Sequence, residues 1–216
     1  MTRGDVVART EARVRELLGG DASGHDWWHI ERVRRLALRL GADEGADAWV
    51  VELAALLHDV DDWKISGDPE AAPRHAREWL ASLGVDSAAG EHVAEIVGTL
   101  SFKGAGVLTP MRTLEGQVVQ DADRLDALGA IGIARAFAYG GSCGRPLHDP
   151  EAAPVLHASF EQYRGAGGAT LNHFYEKLLL LRDRMNTAAG RRLAQERHRY
   201  METFVARFRA EWDGLE

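Results

Sequence analysis

The sequence predicts an all-α protein, a helical bundle with further helices toward the carboxyl terminus. The clearest helical pattern lies near the end of the chain, where Met201, Phe204, Val205, Phe208 and Trp212 fall at i, i+3, i+4, i+7 and i+11. No stretch of useful length shows the alternation of apolar and polar residues that is typical of a half-buried strand. With 216 residues and no internal repeat, we expect one domain over 1–216, with its core at about 24–130 and a helical extension at about 155–216.

Each helix boundary follows from the end of an apolar stripe and from nearby glycine, proline or capping residues. Gly19 and Gly20 end the first helix, and Ser23 or Asp26 is placed to cap the second. A long loop over 140–154 is a candidate lid or interface loop. The predicted helices span about 5–18, 24–40, 47–57, 73–83, 88–100, 115–128, 131–139, 170–185 and 187–212.

Composition and charge limit the classes of function. The formal net charge of −7 argues against a general surface for nucleic acid or anionic membrane, although it leaves room for a local basic pocket. The single cysteine, Cys143, cannot form an internal disulfide, which fits a reducing cytoplasm. No run approaches the roughly 18–20 apolar residues that span a bilayer. We therefore expect a soluble cytoplasmic protein.

The stretch 56–64, LLHDVDDWK, is the most typical of a functional site. His58 and Asp59 come at the end of an apolar segment, and further charged residues follow, among them Asp62 and Lys64. A rigid helix that ends on an imidazole and a carboxylate presents two metal ligands. An isolated His-Asp pair is more often an ordinary charged helix end, so a metal site needs partners from elsewhere.

His29 is one candidate partner. Val33, Leu36 and Leu40 lie four, seven and eleven residues after it, so they share its helical face and the imidazole points inward. Most lone inward histidines are satisfied core residues. His25 to His29 also has the spacing of the zinc-protease H-E-x-x-H, with Asp26 in the glutamate position. Aspartate is one methylene shorter than the usual base, and Gly24 is typical of a helix start, which argue against that alternative.

A second acidic segment, Asp121 to Asp126, is the other candidate. Val118, Ala122 and Leu125 form the apolar side of its predicted helix, so its aspartates cannot all face solvent. A solvated acidic face accounts for Asp121 and Asp126. Asp123 falls at the edge of the buried side, where carboxylates are usually paired or bound to metal.

The ordered set of His29, His58-Asp59 and Asp123 resembles the H…HD…D pattern of the HD-domain superfamily of metal-dependent phosphohydrolases. The resemblance covers about 27–128. Two further segments, DADRLDALGAIG from 121 and NHFYEKL from 172, resemble a subgroup of small bacterial HD hydrolases similar to nucleoside-triphosphate pyrophosphohydrolases. The resemblance implies that one divalent ion is bound, with Mn²⁺ as the first choice and Mg²⁺, Fe²⁺, Co²⁺, Ni²⁺ or Zn²⁺ as alternatives. The implied ligands are His29, His58, Asp59 and Asp123.

The resemblance also implies a catalytic group and substrate contacts. Asp62 matches a position where related enzymes carry an acidic residue near the attacking water, so it is the candidate general base. Lys64 is the candidate for neutralising charge on the substrate during the reaction.

Three further residues are candidates for substrate binding. Lys103 lies in a glycine-rich turn, 101–106, that is suited to a phosphate, and Arg124 is the second phosphate candidate. Arg124 is equally suited to pair with a neighbouring aspartate of its own helix. His25 is a candidate substrate contact or an orienting partner for His29.

The expected function is hydrolysis of a phosphate ester or anhydride of a small molecule, with a nucleotide as the first choice. Dinuclear relatives need additional histidines, often including one directly before the HD pair. This chain has Leu57 at that position, and His92 is the one well-placed extra histidine. A single metal is therefore expected. A non-catalytic nucleotide sensor and a di-iron oxygenase are the alternatives. The aromatic stripe of the last helix leaves monomer and homodimer open.

Overall fold

A computed structural model describes residues 1–18, 26–60, 71–156, 161 and 168–215. Over these residues the chain forms helices and no strands, which confirms the all-α prediction. None of the described helices is both long enough and apolar enough to cross a bilayer. The chain divides into two compact units, Met1–Ser101 with Thr109–Ala122, and Phe102–Leu108 with Asp123–Glu216. The expected single domain stays a prediction.

The first unit is organised around one apolar helix. Seven of the ten residues of α3 are buried, because this helix packs against α1, α2 and α5, while α4 packs against α5. A helix with neighbours on several sides is expected to be apolar nearly all round. The helices of this unit are α1 (Arg3–Leu18), α2 (Trp27–Glu44), α3 (Ala48–Leu57), α4 (Ala71–Ser82), α5 (Ser87–Thr99) and, up to residue 122, α6 (Leu114–Asp126).

A three-residue turn, 45–47, joins α2 to α3 and makes them antiparallel neighbours. Gly45 ends α2 in the left-handed conformation, with φ of 80°, and its N–H donates to the Gly41 carbonyl at 2.8 Å. Asp47 then caps α3 by accepting the Trp49 N–H at 2.8 Å. The start of α2 and the end of α3 therefore lie at the same end of the pair.

The second unit contains α7 (Gly129–Ser142), α8 (Asn172–Glu176), a 3₁₀ helix (Leu178–Arg184) and α9 (Ala188–Trp212). The aromatic stripe of α9 packs inside this unit: Phe204 and Phe208 lie 6.0 and 5.9 Å from Phe137 of α7, between ring centroids. Trp212, at the end of the stripe, is 48% exposed. Most of the stripe therefore has a partner within the chain, and homodimer formation stays a prediction.

The prediction of one helix over 170–185 is wrong. α8 ends at Glu176, Lys177 takes φ of −141°, and a 3₁₀ helix follows. A 3₁₀ helix has three residues per turn, so Leu178 and Leu181 share its buried side while the two leucines between them are half-buried. A run of four leucines has no period of its own, which is why the pattern did not distinguish the two kinds of helix.

The predicted loop over 140–154 begins later than expected, because α7 continues to Ser142. The following residues are tied to the start of α8. The N–H groups of Thr170 and Leu171 donate to the carbonyls of Pro146 and Leu147 at 2.9 and 3.0 Å, and the Asn172 side chain donates to the Ala152 carbonyl at 2.8 Å. The role of this loop as a lid or interface stays a prediction.

Candidate metal centre

His29 is placed by the first turn of α2. The Oδ1 atom of Asp26 accepts the His29 backbone N–H at 2.9 Å, so Asp26 caps the helix and holds its third residue in place. The imidazole is 1% exposed. Asp26 has extended backbone angles and precedes the first helical residue. The H-E-x-x-H alternative, which needs its acidic residue inside a helix, is therefore wrong, and Asp26 orients His29 through the backbone.

His58 and Asp59 follow the last turn of α3. The Nδ1 atom of His58 lies 2.8 Å from the carbonyl oxygen of Ala55, one turn earlier in the same helix. Since a carbonyl only accepts, this contact places the ring proton on Nδ1 and leaves the lone pair of Nε2 available as a metal ligand. Asp59 is partly buried, with 13% of its side chain exposed.

Three ligand atoms converge at the shared end of α2 and α3. The Nε2 atom of His29 lies 3.2 Å from Nε2 of His58 and 3.4 Å from Oδ2 of Asp59, and His58 Nε2 lies 4.0 Å from the same oxygen. Ligands at about 2.1 Å from one ion are separated by about 3.0 Å when adjacent and about 4.2 Å when opposite. All three separations fall in this range, so His29, His58 and Asp59 fit a single divalent ion.

The remaining predicted residues of the site are distributed as follows. Asp123, the fourth expected ligand, is half-buried on α6 and belongs to the second unit. His25, Asp62 and Lys64 lie outside the described residues. Their roles stay predictions.

The interpretation of Asp121 and Asp126 as a solvated acidic face is wrong. Asp121 is fully buried and Asp126 is 4% exposed, whereas Asp123 between them is half-buried. Oδ2 of Asp126 accepts a hydrogen bond from Arg135 Nη1 at 2.9 Å, so an arginine from the next helix compensates its burial. The spacing of the aspartates within α6 could not indicate this partner, because Arg135 lies on a different helix.

Arg124 and His92 both make structural contacts. Arg124 is 7% exposed, and its Nη1 donates to the backbone carbonyl of Arg184. Its predicted phosphate contact stays a prediction. Nε2 of His92 lies 2.8 Å from Thr113 Oγ1 and 3.7 Å from Glu115 Oε2, so this histidine links α5 to the start of α6. Within the described residues, His92 is not part of the metal-ligand cluster.

Arg34 is a residue that sequence reasoning missed. Its guanidinium donates to Oε1 of Glu52 on α3 through Nε at 3.0 Å and Nη2 at 2.5 Å, and to Oε2 of Glu11 on α1 at 3.1 Å. Burial disfavours the charged guanidinium, but the hydrogen bond and charge of Glu52, together with the charges of Glu31 and Glu11, outweigh it, so the pKa of Arg34 is raised. One cation thus joins the three helices α1, α2 and α3. The only indication of this in the sequence was that Glu31 and Arg34 lie three residues apart, which is an ordinary spacing for an ion pair within one helix.

The cap of α2 provides a specific prediction. Asp26→Ala is expected to lower the free energy of unfolding by about 0.5–2 kcal/mol, because a backbone N–H loses its acceptor, and to weaken metal binding, because that N–H belongs to His29. Asp86→Ala is the matched control: Asp86 caps α5 by the same bond, to the Ala89 N–H at 3.0 Å, on a helix that carries no ligand of the cluster. Urea unfolding and calorimetric Mn²⁺ titration of both variants test this. Equal effects on metal binding would contradict it.

Comparison with known proteins adds a family match and several similar structures. The family model for the HD domain matches residues 27–128, which include His29, His58 and Asp59. The protein YpgQ of Bacillus subtilis, whose function is uncharacterised, is 38% identical over 205 residues, covering 94% of this chain and 92% of YpgQ. Its crystal structure in complex with ADP aligns with a TM-score of 0.74 at 34% identity, over 97% of this chain and 100% of that one.

Two other solved structures extend the comparison. A Lactobacillus plantarum protein is 40% identical, with a TM-score of 0.87 over 99% of this chain and 100% of that one. A Bacillus thuringiensis protein described as an HD-superfamily hydrolase is 44% identical, with a TM-score of 0.76 over 98% and 99% of the two chains. The identity to YpgQ over nearly the whole of both chains, with the family match over residues 27–128, establishes that this chain belongs to the HD-domain superfamily.

Proposed function

We propose that this chain is a metal-dependent phosphohydrolase that acts on nucleotides, and specifically a nucleoside-triphosphate pyrophosphohydrolase. The observation that carries the proposal is the convergence of the His29, His58 and Asp59 ligand atoms at separations that suit one divalent ion. Two relatives support the finer assignment. One solved relative is described as an HD-superfamily hydrolase, which supports the reaction class, and YpgQ was solved with ADP, which supports a nucleotide as the ligand.

The described residues account for the holding and orienting of the ligands. The Ala55 carbonyl fixes the tautomer of His58, and the Asp26 cap fixes the position of His29. We propose Asp123 as the fourth ligand and Mn²⁺ as the ion. A bound divalent ion would supply Lewis acidity toward a phosphoryl oxygen and toward water.

The remaining roles in this proposal concern protons and charge. Asp62 accepts a proton as water adds to the α-phosphorus, the bond from that phosphorus to the bridging oxygen breaks, and pyrophosphate leaves with the bridging oxygen. Lys64 neutralises charge on the leaving group. Lys103 and Arg124 contact the phosphates of the bound substrate, and His25 contacts the substrate.

The proposal is tested with protein stripped of metal and reloaded separately with Mn²⁺, Mg²⁺, Fe²⁺, Co²⁺, Ni²⁺ or Zn²⁺. Each form is assayed against ribo- and deoxyribonucleoside triphosphates and diphosphates, with pyrophosphate and orthophosphate measured separately. The expected result is metal-dependent release of pyrophosphate. In ¹⁸O-labelled water, the label is expected in the nucleoside monophosphate, because the new bond forms at the α-phosphorus.

The other outcomes each correspond to a different function. Orthophosphate release indicates a phosphomonoesterase or stepwise phosphohydrolase. Tight nucleotide binding without turnover under any metal contradicts the enzyme proposal and indicates a nucleotide sensor. Two iron ions per chain, with oxygen consumption, would indicate an oxygenase.

A further inference from the structure

Trp28 exposes its indole ring directly beside a metal ligand of the first unit. It is 61% exposed, whereas its two neighbours in the chain, Trp27 and His29, are 5% and 1% exposed. Single exposed apolar side chains are common on protein surfaces, so exposure alone would assign Trp28 no role. Tryptophan is, however, highly buried on average, and here it is exposed in the turn that carries His29. Its position relative to the cluster decides what it can contact.

The geometry of α2 directs the indole toward the end of the helix pair where the ligand atoms converge. Trp28 is the second residue of α2, and helical Cα–Cβ bonds tilt toward the amino-terminal end of the helix. That end of α2 and the end of α3 lie together, and His29, His58 and Asp59 meet there. Successive side chains are about 100° apart around a helix. Trp28 therefore stands at the side of His29, facing solvent while the imidazole faces His58.

The separation between the indole and the cluster suits a nucleotide. Trp28 and His29 are adjacent, with Cα atoms about 3.8 Å apart, so their rings lie on the order of 10 Å or less from each other. In a nucleotide, one ribose lies between the first phosphate and the base. A phosphate at the ligand atoms of the cluster therefore leaves the base within reach of the indole. Asp59 is 13% exposed, so the cluster reaches solvent through this carboxylate.

The turn that carries Trp28 is held on both sides. Asp26 accepts the His29 N–H at 2.9 Å, and Trp27 is buried with the guanidinium of Arg15 over its ring, 4.3 Å from the centroid. The backbone of Trp28 is therefore fixed between two anchored residues. A tryptophan side chain has only two χ angles, so little conformational entropy is lost when a ligand orders it. The indole is a preorganised flat surface.

An exposed indole face favours planar aromatic ligands. Stacking between a base and an aromatic side chain tolerates any base, because every base has a π-face. A purine covers more of the indole than a pyrimidine does, so it is expected to stack more strongly. Inorganic phosphates have no ring and gain nothing from this contact.

We propose that Trp28 is a binding residue that stacks on the nucleobase of a nucleotide whose phosphates lie at the cluster of His29, His58 and Asp59. It favours nucleotides over inorganic polyphosphates and purines over pyrimidines. This inference rests on the proposed function for phosphate binding at the cluster. It adds a residue of the first unit that contacts the part of the substrate away from the reacting bond.

The first test compares two ligands that carry three phosphates, one with a base and one without. Calorimetric titration of the Mn²⁺-loaded protein uses α,β-methylene-ATP, which lacks the bridging oxygen at the α-phosphorus and is not cleaved there, and inorganic tripolyphosphate. Trp28→Ala is expected to weaken α,β-methylene-ATP binding by about tenfold or more, because the stacking contact is lost. Tripolyphosphate binding is expected to keep wild-type affinity. Trp28→Phe retains an aromatic face and is expected to lose less.

Trp49→Ala is the matched control. Trp49 is a half-buried tryptophan of the same unit, at the start of α3, whereas His58 follows the other end of that helix. Its ring lies under the Arg3 guanidinium, 5.1 Å from the centroid. At a rise of about 1.5 Å per residue, Trp49 is about 13–14 Å from His58 along the helix axis. Trp49→Ala is therefore expected to bind both ligands as the wild type does.

A second measurement observes the indole itself. In ¹⁵N-labelled protein loaded with Zn²⁺, which is diamagnetic, the indole N–H signal of Trp28 is assigned by its absence in Trp28→Phe. This signal is expected to shift on addition of α,β-methylene-ATP, because the base stacks over the ring, and to shift far less with tripolyphosphate. The corresponding CTP analogue is expected to bind more weakly than the ATP analogue in the wild type, and this difference is expected to disappear in Trp28→Ala.

Three results would overturn the inference: wild-type affinity of a folded Trp28→Ala variant for α,β-methylene-ATP, an equal loss of affinity for both ligands in that variant, or an indole signal that does not respond to α,β-methylene-ATP. An equal loss would mean that Trp28 acts through its neighbour His29 and not on a base. Base-dependent binding without turnover of nucleoside triphosphates would overturn the proposed function alone. Turnover by a wild type that shows no base-dependent binding would overturn this inference alone.

Discussion

His58→Ala and Asp59→Asn are each expected to lose metal binding and phosphohydrolase activity while the protein stays folded. Each change removes one of three ligand atoms that lie within 4.0 Å of one another. Loss of an outer partner of a metal ligand typically costs 10–100-fold in affinity, so loss of a ligand is expected to cost on the order of 100-fold or more. Asp59→Asn keeps the size of the side chain, which separates loss of charge from loss of packing.

The measurements are calorimetric titration with Mn²⁺, turnover at saturating metal, and thermal unfolding by circular dichroism. His75→Ala and Asp43→Asn are the matched controls, an exposed histidine and an exposed aspartate of the same unit, and they are expected to behave as the wild type. Wild-type Mn²⁺ affinity in both His58→Ala and Asp59→Asn would show that the cluster does not hold the ion. If Mn²⁺ affinity is retained but turnover is lost, His58 and Asp59 act at a step after metal binding.

Arg34→Met is expected to lower the free energy of unfolding by about 2–4 kcal/mol. Removal of one partner of a buried ion pair costs about 3–5 kcal/mol, because the remaining charge stays desolvated. The Arg34 side chain is 19% exposed, so the expected loss is set somewhat lower than that range. Glu11, Glu31 and Glu52 would be left facing one another without their shared cation. Weaker Mn²⁺ binding is also expected, since α2 and α3 carry His29 and His58.

Arg35→Met is a close control for this effect. Arg35 is the next residue, its side chain is 76% exposed, and among the described residues its ion pair is with Glu31 alone, at 2.7 Å. Its replacement is expected to change stability by about 0.5 kcal/mol or less. Urea unfolding of Arg34→Met, Glu52→Gln and the double variant measures the coupling between the two residues. If Arg34→Met and Arg35→Met lower the free energy of unfolding equally, the ion pair between Arg34 and Glu52 contributes no more to stability than an exposed ion pair does.

Much of the secondary structure and the core of the site could be predicted from the sequence because both leave local signals. Val33 and Leu40 share the buried face of α2 with His29, as their spacing indicates, and Asp26 caps that helix. The His58-Asp59 pair was conspicuous because it ends an apolar segment. The roles of the metal ligands, the general base and the substrate contacts came from the family resemblance and stay predictions.

The predictions that were wrong concern contacts between helices. Asp121 and Asp126 had the spacing of a solvated face, but both are buried, and Asp126 is paired with Arg135 of α7. The helix expected over 170–185 divides into α8 and a 3₁₀ helix, since a run of apolar residues is compatible with either period.

The sequence by itself determined the helical class, most helix boundaries and the family. Periodicity and caps are properties of neighbouring residues, and the ligand pattern is a property of the order of residues along the chain. Tertiary structure decided which charges are shared. Arg34 donates hydrogen bonds to glutamates on three helices. Arg184 donates hydrogen bonds to backbone carbonyls that lie about eighty residues earlier in the chain. A cation is stabilised by whichever oxygens the fold brings within about 3 Å. That proximity depends on how the helices pack, which no local pattern in the sequence encodes.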